Sequence, residues 1–254
     1  MFTNCFSKDV VVIPISIEIE KLNPQQILNA ESKTIITAIY NTLFEIQGTH
    51  PKPKLIQTWQ YEPKSKTLIF EIKNNVFFHN GQKMTSDDII FSIYQWARRD
   101  ALDSNLLTEI VGIEDYQSGR NSIISGISKL DLTKFAIKIK NDSNSNSFIQ
   151  TLCLPRFVVM PNNFGGMTAA NYFEHPNGTG PFQFKELTTD TLTLDRFEKY
   201  FFGQPKSQTL IIKKMDFKNA VNDFNKGIID LLLFYSLVDA KSIIRKDVVI
   251  ELLP

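Results

Sequence analysis

Apolar residues recur at two different periods near the start of the chain. In residues 10–19, the isoleucines Ile13, Ile15, Ile17 and Ile19 alternate with other residues, and this period of two predicts a β-strand with one buried face. In residues 32–46, apolar side chains return every three or four positions, a spacing typical of an amphipathic helix. The chain is therefore expected to begin with a strand followed by a helix.

The next block has the pattern of a β-hairpin followed by a sharp turn. Residues 55–61 and 67–72 are strand-like runs joined by residues 62–66, whose proline and polar side chains suit a turn. A third strand is predicted at residues 76–79. It leads into Asn80-Gly81, a pair that accepts positive φ and reverses the chain direction.

A helix is expected directly after this turn. Thr85 and Asp88 have the spacing of a capping box, in which the Thr85 hydroxyl lies at the N-cap and the Asp88 carboxylate reaches back to it. A carboxylate in the first turn also favours the helix dipole. We therefore predict a helix over residues 86–99.

The second half of the chain contains more strand patterns than helix patterns. Paired strands are predicted at 123–130 and 135–139, and the polar residues 141–147 are expected to form an exposed loop. The glycine-rich residues 162–181 indicate a change of domain. After them, strands are predicted at 182–185, 191–197 and 209–215 and a helix at 219–226.

Composition limits the partners of the protein. The chain has 254 residues, 43% of them hydrophobic, which fits a folded globular protein. Its 28 Lys and Arg residues nearly cancel its 27 Asp and Glu residues, so it lacks the basic field that holds nucleic acid. Two cysteines are too few for a disulfide framework, and a buried free thiol at Cys153 is favoured over a Cys5–Cys153 bridge.

None of the residue patterns predicts catalysis or a resident cofactor. His50, His79 and His175 lack metal-ligand spacing, and no Gly-x-Ser-x-Gly elbow occurs. The run Gly178-Thr179-Gly180-Pro181 lacks the Gly-Lys-Ser/Thr ending of a phosphate loop. We therefore expect no enzyme activity, no catalytic residue, no metal site and no cofactor.

Three motifs resemble those of the bacterial extracellular solute-binding proteins of family 5. Residues 78–89, FHNGQKMTSDDI, are similar to the family signature F-H-D-G-x-x-[LFM]-[TN]-A-x-D-V. Residues 178–184, GTGPFQF, are similar to G-T-G-P-Y-x-F. Residues 194–201, LDRFEKYF, are similar to L-x-R-N-P-x-Y-W, with Phe197 and Phe201 where the family has Asn and Trp.

This resemblance implies an α/β fold of the type II periplasmic-binding-protein kind, with a mixed sheet flanked by helices and an inserted smaller α+β domain. By the same resemblance, residues 1–46 and 163–254 form the two segments of a first-lobe domain, and residues 47–162 form the inserted domain. Sequences of the family continue well beyond these motifs. We therefore expect the chain to correspond to the N-terminal half, without the second lobe.

The resemblance also implies a function in transport. Solute-binding proteins of ABC importers close two lobes on an oligopeptide or a similar small polar solute and deliver it to a membrane permease. Relatives also take nickel chelates, haem, sugars and opines. On this side of the cleft, the residues expected to touch ligand are Leu28, Asn29 and Ala30 in one loop and Arg99 and Asp103 at a helix exit.

The presence of one lobe alone is expected to affect ligand binding and association of the chain. The 254 residues are expected to bind peptide weakly or not at all, because one wall cannot desolvate the ligand. An exposed cleft face is expected to favour dimerisation. The signature residues themselves are expected to have structural roles in turns and helix caps: Phe78, His79, Gly81, Thr85, Asp88, Gly178, Gly180 and Pro181.

The family resemblance predicts a periplasmic or membrane-anchored extracellular location. Residues 1–9 lack the basic and apolar regions of a secretory signal, which leaves a cytoplasmic alternative open. Similar domains serve as small-molecule sensors in cytoplasmic transcription regulators, which also lack the Trp at position 201. The absence of a helix-turn-helix before the first predicted strand argues against that alternative. A signal peptide or a winged helix encoded in the full gene would distinguish the two.

Overall fold

The computed structural model describes residues 8–19, 22–26, 29–141, 145–232 and 241–245. The strands are β1 (Val10–Ile15), β2 (Phe44–Gln47), β3 (His50–Pro53), β4 (Ile56–Glu62), β5 (Thr67–Ile72), β6 (Ile127–Lys129), β7 (Lys134–Lys138), β8 (Phe182–Leu187), β9 (Thr191–Arg196) and β10 (Thr209–Lys214). The α-helices are α1 (Ala30–Ile39), α2 (Ser86–Trp96), α3 (Ile113–Gln117), α4 (Ser145–Thr151), α5 (Ala169–Glu174) and α6 (Phe217–Asn225). Short 3₁₀-helices include Pro24–Gln26, Ser104–Leu107 and Asn162–Gly166.

The strands form two four-stranded sheets and a separate hairpin. The first sheet has the order β1-β10-β9-β8, in which β1 and β10 are parallel and the other pairs antiparallel. The second sheet has the order β4-β5-β7-β6 and is antiparallel throughout. Strands β2 and β3 pair only with each other in the described residues. A mixed sheet with helices gives the α/β class that the family resemblance implied.

Buried apolar side chains gather in two main clusters. One cluster packs on the second sheet and includes Leu43, Phe44 and Phe157. The other packs on the first sheet and α1. The chain between 157 and 160 lies between them, because Val158 and Met160 belong to the cluster of the first sheet while Phe157 and Val159 belong to the other. This period of two buries the segment on both faces.

Helix α1 is shorter than predicted: it ends at Ile39, whereas the pattern predicted a helix as far as residue 46. The Gly180 N–H donates to the Ile39 carbonyl at 2.8 Å, and the Asn41 side chain donates to the Thr179 carbonyl at 2.7 Å. These contacts draw the chain out of helical conformation, so Phe44 begins a strand. Tertiary hydrogen bonds thus override a continuous helical pattern.

Several other elements are shorter in the structure than the sequence pattern predicted. The strand predicted at 76–79 is reduced to one bridge between Phe77 and Lys83, because the turn at Gly81 (φ +85°) closes at once. The first strand stops at residue 15, α2 stops at residue 96, and the strand predicted at 123–130 is limited to 127–129. Residues 145–147, predicted as loop, form the first turn of α4.

Several predicted elements are confirmed. The hairpin of β4 and β5, the pairing of β6 with β7, the strands β8 to β10 and helix α6 lie where their patterns indicated. Cys153 is a half-buried free thiol whose pKa burial raises to about 11, whereas Cys5 lies outside the described residues. Within the described ranges, no helix combines the length and the apolar character that a membrane crossing requires.

Candidate functional site

His79 joins two of the signature motifs. The Gly178 N–H donates to Nδ1 of His79 at 3.2 Å, so that nitrogen carries no proton, and Nε2–H donates to the Gly180 carbonyl at 3.1 Å. The His79 backbone N–H donates to the Gly178 carbonyl at 2.9 Å. Burial of the ring lowers the pKa of His79 to about 4, which keeps it neutral. We call this contact of His79, Gly178 and Gly180 the His79 seam.

The two glycines of the seam touch the end of α1. A Cβ atom at Gly178 would lie 2.0 Å from the Ile39 carbonyl oxygen, and one at Gly180 would lie 2.4 Å from the Ile39 carbonyl carbon. Both distances are far below van der Waals contact, so neither position has room for a side chain. Pro181 follows, and its carbonyl accepts the Phe197 N–H at 2.8 Å.

The remaining signature residues build the turn and the helix start that lead away from the seam. Phe78 is fully buried, and its N–H donates to the Gln82 carbonyl at 2.8 Å. Asp88 is 1% exposed, and one of its oxygens accepts the Thr85 N–H at 2.7 Å and the Thr85 hydroxyl at 2.9 Å. The other oxygen accepts the Asn162 N–H at 2.7 Å. Asp88 thus caps α2 and ties it to the chain that returns to the first sheet.

The loop residues predicted to touch ligand lie at the start of α1. Asn29 is the N-cap, and its side-chain oxygen accepts the Ser32 N–H at 2.9 Å. Ala30 is the exposed first residue of the helix, and Leu28 lies outside the described residues. The Asn29 side chain is therefore engaged in capping.

Arg156 links the 3₁₀-helix Pro24–Gln26 to the predicted helix exit. Its guanidinium forms an ion pair with Asp103, and its backbone carbonyl accepts a hydrogen bond from the Gln25 side chain at 3.1 Å. Asp103 adopts the left-handed conformation (φ 59°), which is uncommon for a residue other than glycine. The side-chain oxygen of Gln25 is buried and has no hydrogen-bond partner among the residues that the structure describes. We call Gln25, Asp103 and Arg156 together the Arg156 rim.

Sequence reasoning missed Arg156, although a signal was present. It is the only charged residue in the otherwise apolar or uncharged segment 148–160. A cation in an apolar run has to reach solvent or a counter-ion, so its position indicates either an end of the core or a paired charge. Arg156 meets both conditions, because its side chain is 21% exposed to solvent and forms an ion pair with Asp103.

Arg99, the remaining predicted residue, lines a different feature. It borders an open surface cleft of about 380 Å³, together with Arg98, Asp100, Tyr116, Gln117, Gly119, Asn121 and Ser122. Arg98 donates two hydrogen bonds to Asp100, at 3.0 and 2.8 Å, and these bonds raise the pKa of Arg98 and lower that of Asp100. In the described ranges, no hydrogen bond or ion pair joins Arg99 to another residue. Through Arg156, the structure therefore connects Asp103, but not Arg99, to Gln25.

The site contains charged and amide groups but no cluster suited to a metal. Nowhere in the described part of the chain do three His, Cys, Asp or Glu side chains converge as metal ligands would. A mixed-sheet unit joined to a smaller antiparallel unit has the architecture of a type II periplasmic binding protein.

Comparison with known proteins agrees with this class. Residues 50–249 match the family described as bacterial extracellular solute-binding proteins, family 5 Middle, and the chain belongs to that family. It is 27% identical over 203 residues to the uncharacterized protein YhjP of Bacillus subtilis, covering 78% of this chain and 31% of YhjP. It is 27% identical over 173 residues to the probable peptide ABC transporter periplasmic-binding protein y4tO of Sinorhizobium fredii, covering 66% of this chain and 30% of y4tO.

Solved structures confirm the fold. The structure of Listeria monocytogenes OppA bound to peptide superposes with a TM-score of 0.79 at 15% identity, covering 94% of this chain and 49% of OppA. The chain therefore spans about a third of the length of the two curated relatives and about half of OppA. The predicted family and the predicted α/β class of a partial periplasmic-binding-protein lobe are both confirmed.

Proposed function

We propose that this chain forms one wall of the ligand cleft in the substrate-binding component of an ABC importer, which captures an oligopeptide or a similar small polar solute for a membrane permease. The observation that carries the proposal is the Arg156 rim, where a loop of the first-sheet unit meets a helix exit of the second. Family membership and the peptide named for y4tO and OppA support it. The proposed location is periplasmic or extracellular.

The proposed domain division follows the two clusters. Residues 1–46 and 163–254 would form the first-lobe domain around β1, α1 and β8 to β10, and residues 47–162 the inserted domain. The parallel pairing of β1 with β10, which are far apart in sequence, supports this division. Leu43 and Phe44 precede residue 47 but pack with the second sheet. The other wall of the cleft would come from a second lobe.

The chemistry of the rim suits a solute with charged ends. A peptide brings a carboxylate and an ammonium group, and each can replace one member of the Arg156–Asp103 pair without leaving a charge unpaired. Gln25 adds an amide beside the pair. Arg156 is favoured over lysine here because its planar guanidinium binds a carboxylate through two parallel hydrogen bonds.

Isothermal titration calorimetry on the full-length protein tests the proposal, using the ligand that native mass spectrometry finds co-purified with it. Arg156→Gln is expected to weaken binding by about tenfold or more, equivalent to about 1.4 kcal/mol. Arg120→Gln is the matched control, because Arg120 also pairs with a carboxylate, that of Asp115, but lies on the exposed surface. Equal affinity of the wild type and Arg156→Gln would contradict the proposal, and so would an equal loss in the control.

The same titration on residues 1–254 tests the role of the second wall. We expect binding too weak to measure, because one wall leaves most of the ligand in water. Micromolar affinity of this chain for peptide would show instead that one lobe is enough. The predicted association through the cleft face stays a prediction.

A further inference from the structure

Strand β4 is an edge strand with little protection. In the described part of the chain it hydrogen-bonds only to β5, and the side chains of Gln57, Thr58, Trp59 and Gln60 are exposed. From residue 56 to residue 61 it contains no charged residue and no proline, the two residue types that most often guard an edge. A bulge at Gln57 interrupts the pairing of β4 with β5 near the start of β4, and the residues after the bulge pair regularly.

The other sheet edges differ from β4. Strand β6 has three residues and ends in Lys129. Strand β8 carries a lysine and a glutamate next to each other at 185 and 186. At β1, the Val12 N–H donates to the Asp230 carboxylate at 2.9 Å, and the Val12 carbonyl accepts the Asp230 N–H at 3.0 Å. These edges are short, charged or covered, which leaves β4 as the edge of the two four-stranded sheets best able to pair further.

The register shows which backbone groups of β4 face outward. The Ile72 N–H donates to the Thr133 carbonyl at 2.9 Å, so the backbone groups of Ile72 point toward β7. Along a strand the backbone groups of every second residue point to the same side, so those of Phe70 also point toward β7. Trp59 lies directly opposite Phe70. The N–H and the carbonyl of Trp59 therefore point away from the sheet.

The side chain of Trp59 adds apolar surface at the same place. It lies on the same face of the sheet as Phe70, and its ring packs against that of Phe44 in a T-shaped arrangement with centroids 6.2 Å apart. Even so, the residue is 37% exposed. Outward-facing backbone groups and an incompletely buried indole thus coincide at one residue of an uncharged edge.

We propose that β4 pairs antiparallel with β4 of a second copy of this chain, about a twofold axis at Trp59. Each Trp59 N–H then donates to the Trp59 carbonyl of the other copy, and the two indoles lie side by side on one face. Thr58 faces Gln60 and Gln57 faces Tyr61 across the axis, so no like charges oppose each other. A second copy is the chosen occupant because the same edge supplies the matching backbone groups, ring and neutral side chains.

Dilution of the 254-residue chain tests this interface, which does not depend on the proposed function or on the cleft face. Sedimentation equilibrium should show a dimer that dissociates on dilution. Trp59 and Trp96 are the two tryptophans of the chain, and Trp96 is fully buried. Quenching of tryptophan emission by acrylamide therefore reports Trp59, and it should fall as the dimer forms. Trp59→Lys, checked for folding by circular dichroism, should stay monomeric.

Amide hydrogen exchange in the wild type supplies a test that needs no variant. The Trp59 amide should be protected in the dimer and exchange freely in the monomer. The neighbouring Gln60 amide faces β5 and should be protected in both states, which makes it the internal control. A chain that is monomeric at every concentration would overturn the proposal. A dimer in which Trp59 stays quenchable and its amide unprotected would also overturn it.

Discussion

Two of the contacts between the second-sheet unit and the rest of the chain differ in chemical character. At the His79 seam, a neutral imidazole has both nitrogens hydrogen-bonded, and two glycines lie against the carbonyl of Ile39. At the Arg156 rim, a partly exposed ion pair lies beside a side-chain oxygen of Gln25 that has no hydrogen-bond partner in the described part of the chain. One contact is saturated, and the other has groups left to engage.

This difference separates residues that position the domains from residues that can meet a ligand. Close packing and fully used hydrogen bonds tolerate little change, because any added atom or lost partner is felt directly. Partly exposed charges tolerate more, because water replaces a lost partner. The seam should therefore control stability and the rim should control binding.

The strongest test of the seam is Gly178→Ala. The new Cβ would lie 2.0 Å from a backbone oxygen of α1, so the helix end or the 177–181 segment has to shift. We expect a loss of at least about 3 kcal/mol in the free energy of unfolding, measured by urea denaturation. Gly48→Ala is the control, since it has a φ of +62° but open space around it, and should cost about 1 kcal/mol. Equal losses would show that the chain relieves the contact at Gly178 at little cost, and would contradict the prediction.

The pH dependence of stability tests the neutral state of His79. Folding lowers its pKa from 6.5 to about 4, so its stabilising contribution is complete above pH 6.5 and is lost as the pH falls toward 4. The wild type should lose about 2 to 3 kcal/mol more than His79→Gln over that interval. Urea denaturation of both proteins across the interval measures the difference. Parallel pH profiles would mean that the ring is not held neutral by the seam.

Sequence patterns predicted the seam better than the rim, and the reason is physical. Gly178, Gly180 and His79 belong to motifs whose residue types are dictated by space and turn geometry, so each position allows few alternatives. Local periodicity also located β4, β5 and β8 to β10. It failed for the end of α1, because Gly180, whose N–H donates to the Ile39 carbonyl there, lies far away in the sequence.

The rim depends on contacts between residues far apart in sequence. Asp103 and Arg156 are 53 positions apart, and Arg156 and Gln25 are 131 positions apart. A local sequence pattern does not indicate contacts over such separations, and Arg156 lies within an apolar segment that gives no sign of its partners. Asp103 was predicted from the family resemblance at a helix exit, but its counter-ion was not. The parts of a cleft that vary with the ligand leave weaker patterns than the parts that hold its walls together.

The smallest expected effect is the coupling energy of the ion pair in the Arg156 rim. A double-mutant cycle of Asp103→Asn, Arg156→Gln and the double variant isolates the energy of their ion pair. Because Asp103 is 37% exposed and Arg156 21% exposed, water screens the pair, and we expect a coupling below about 1 kcal/mol by urea denaturation. Asparagine suits this change, since it also tolerates the left-handed conformation at position 103. A coupling of about 3 kcal/mol or more would make the pair a structural element like the seam. In that case, weaker ligand binding by Arg156→Gln would report a distorted cleft instead of a lost contact.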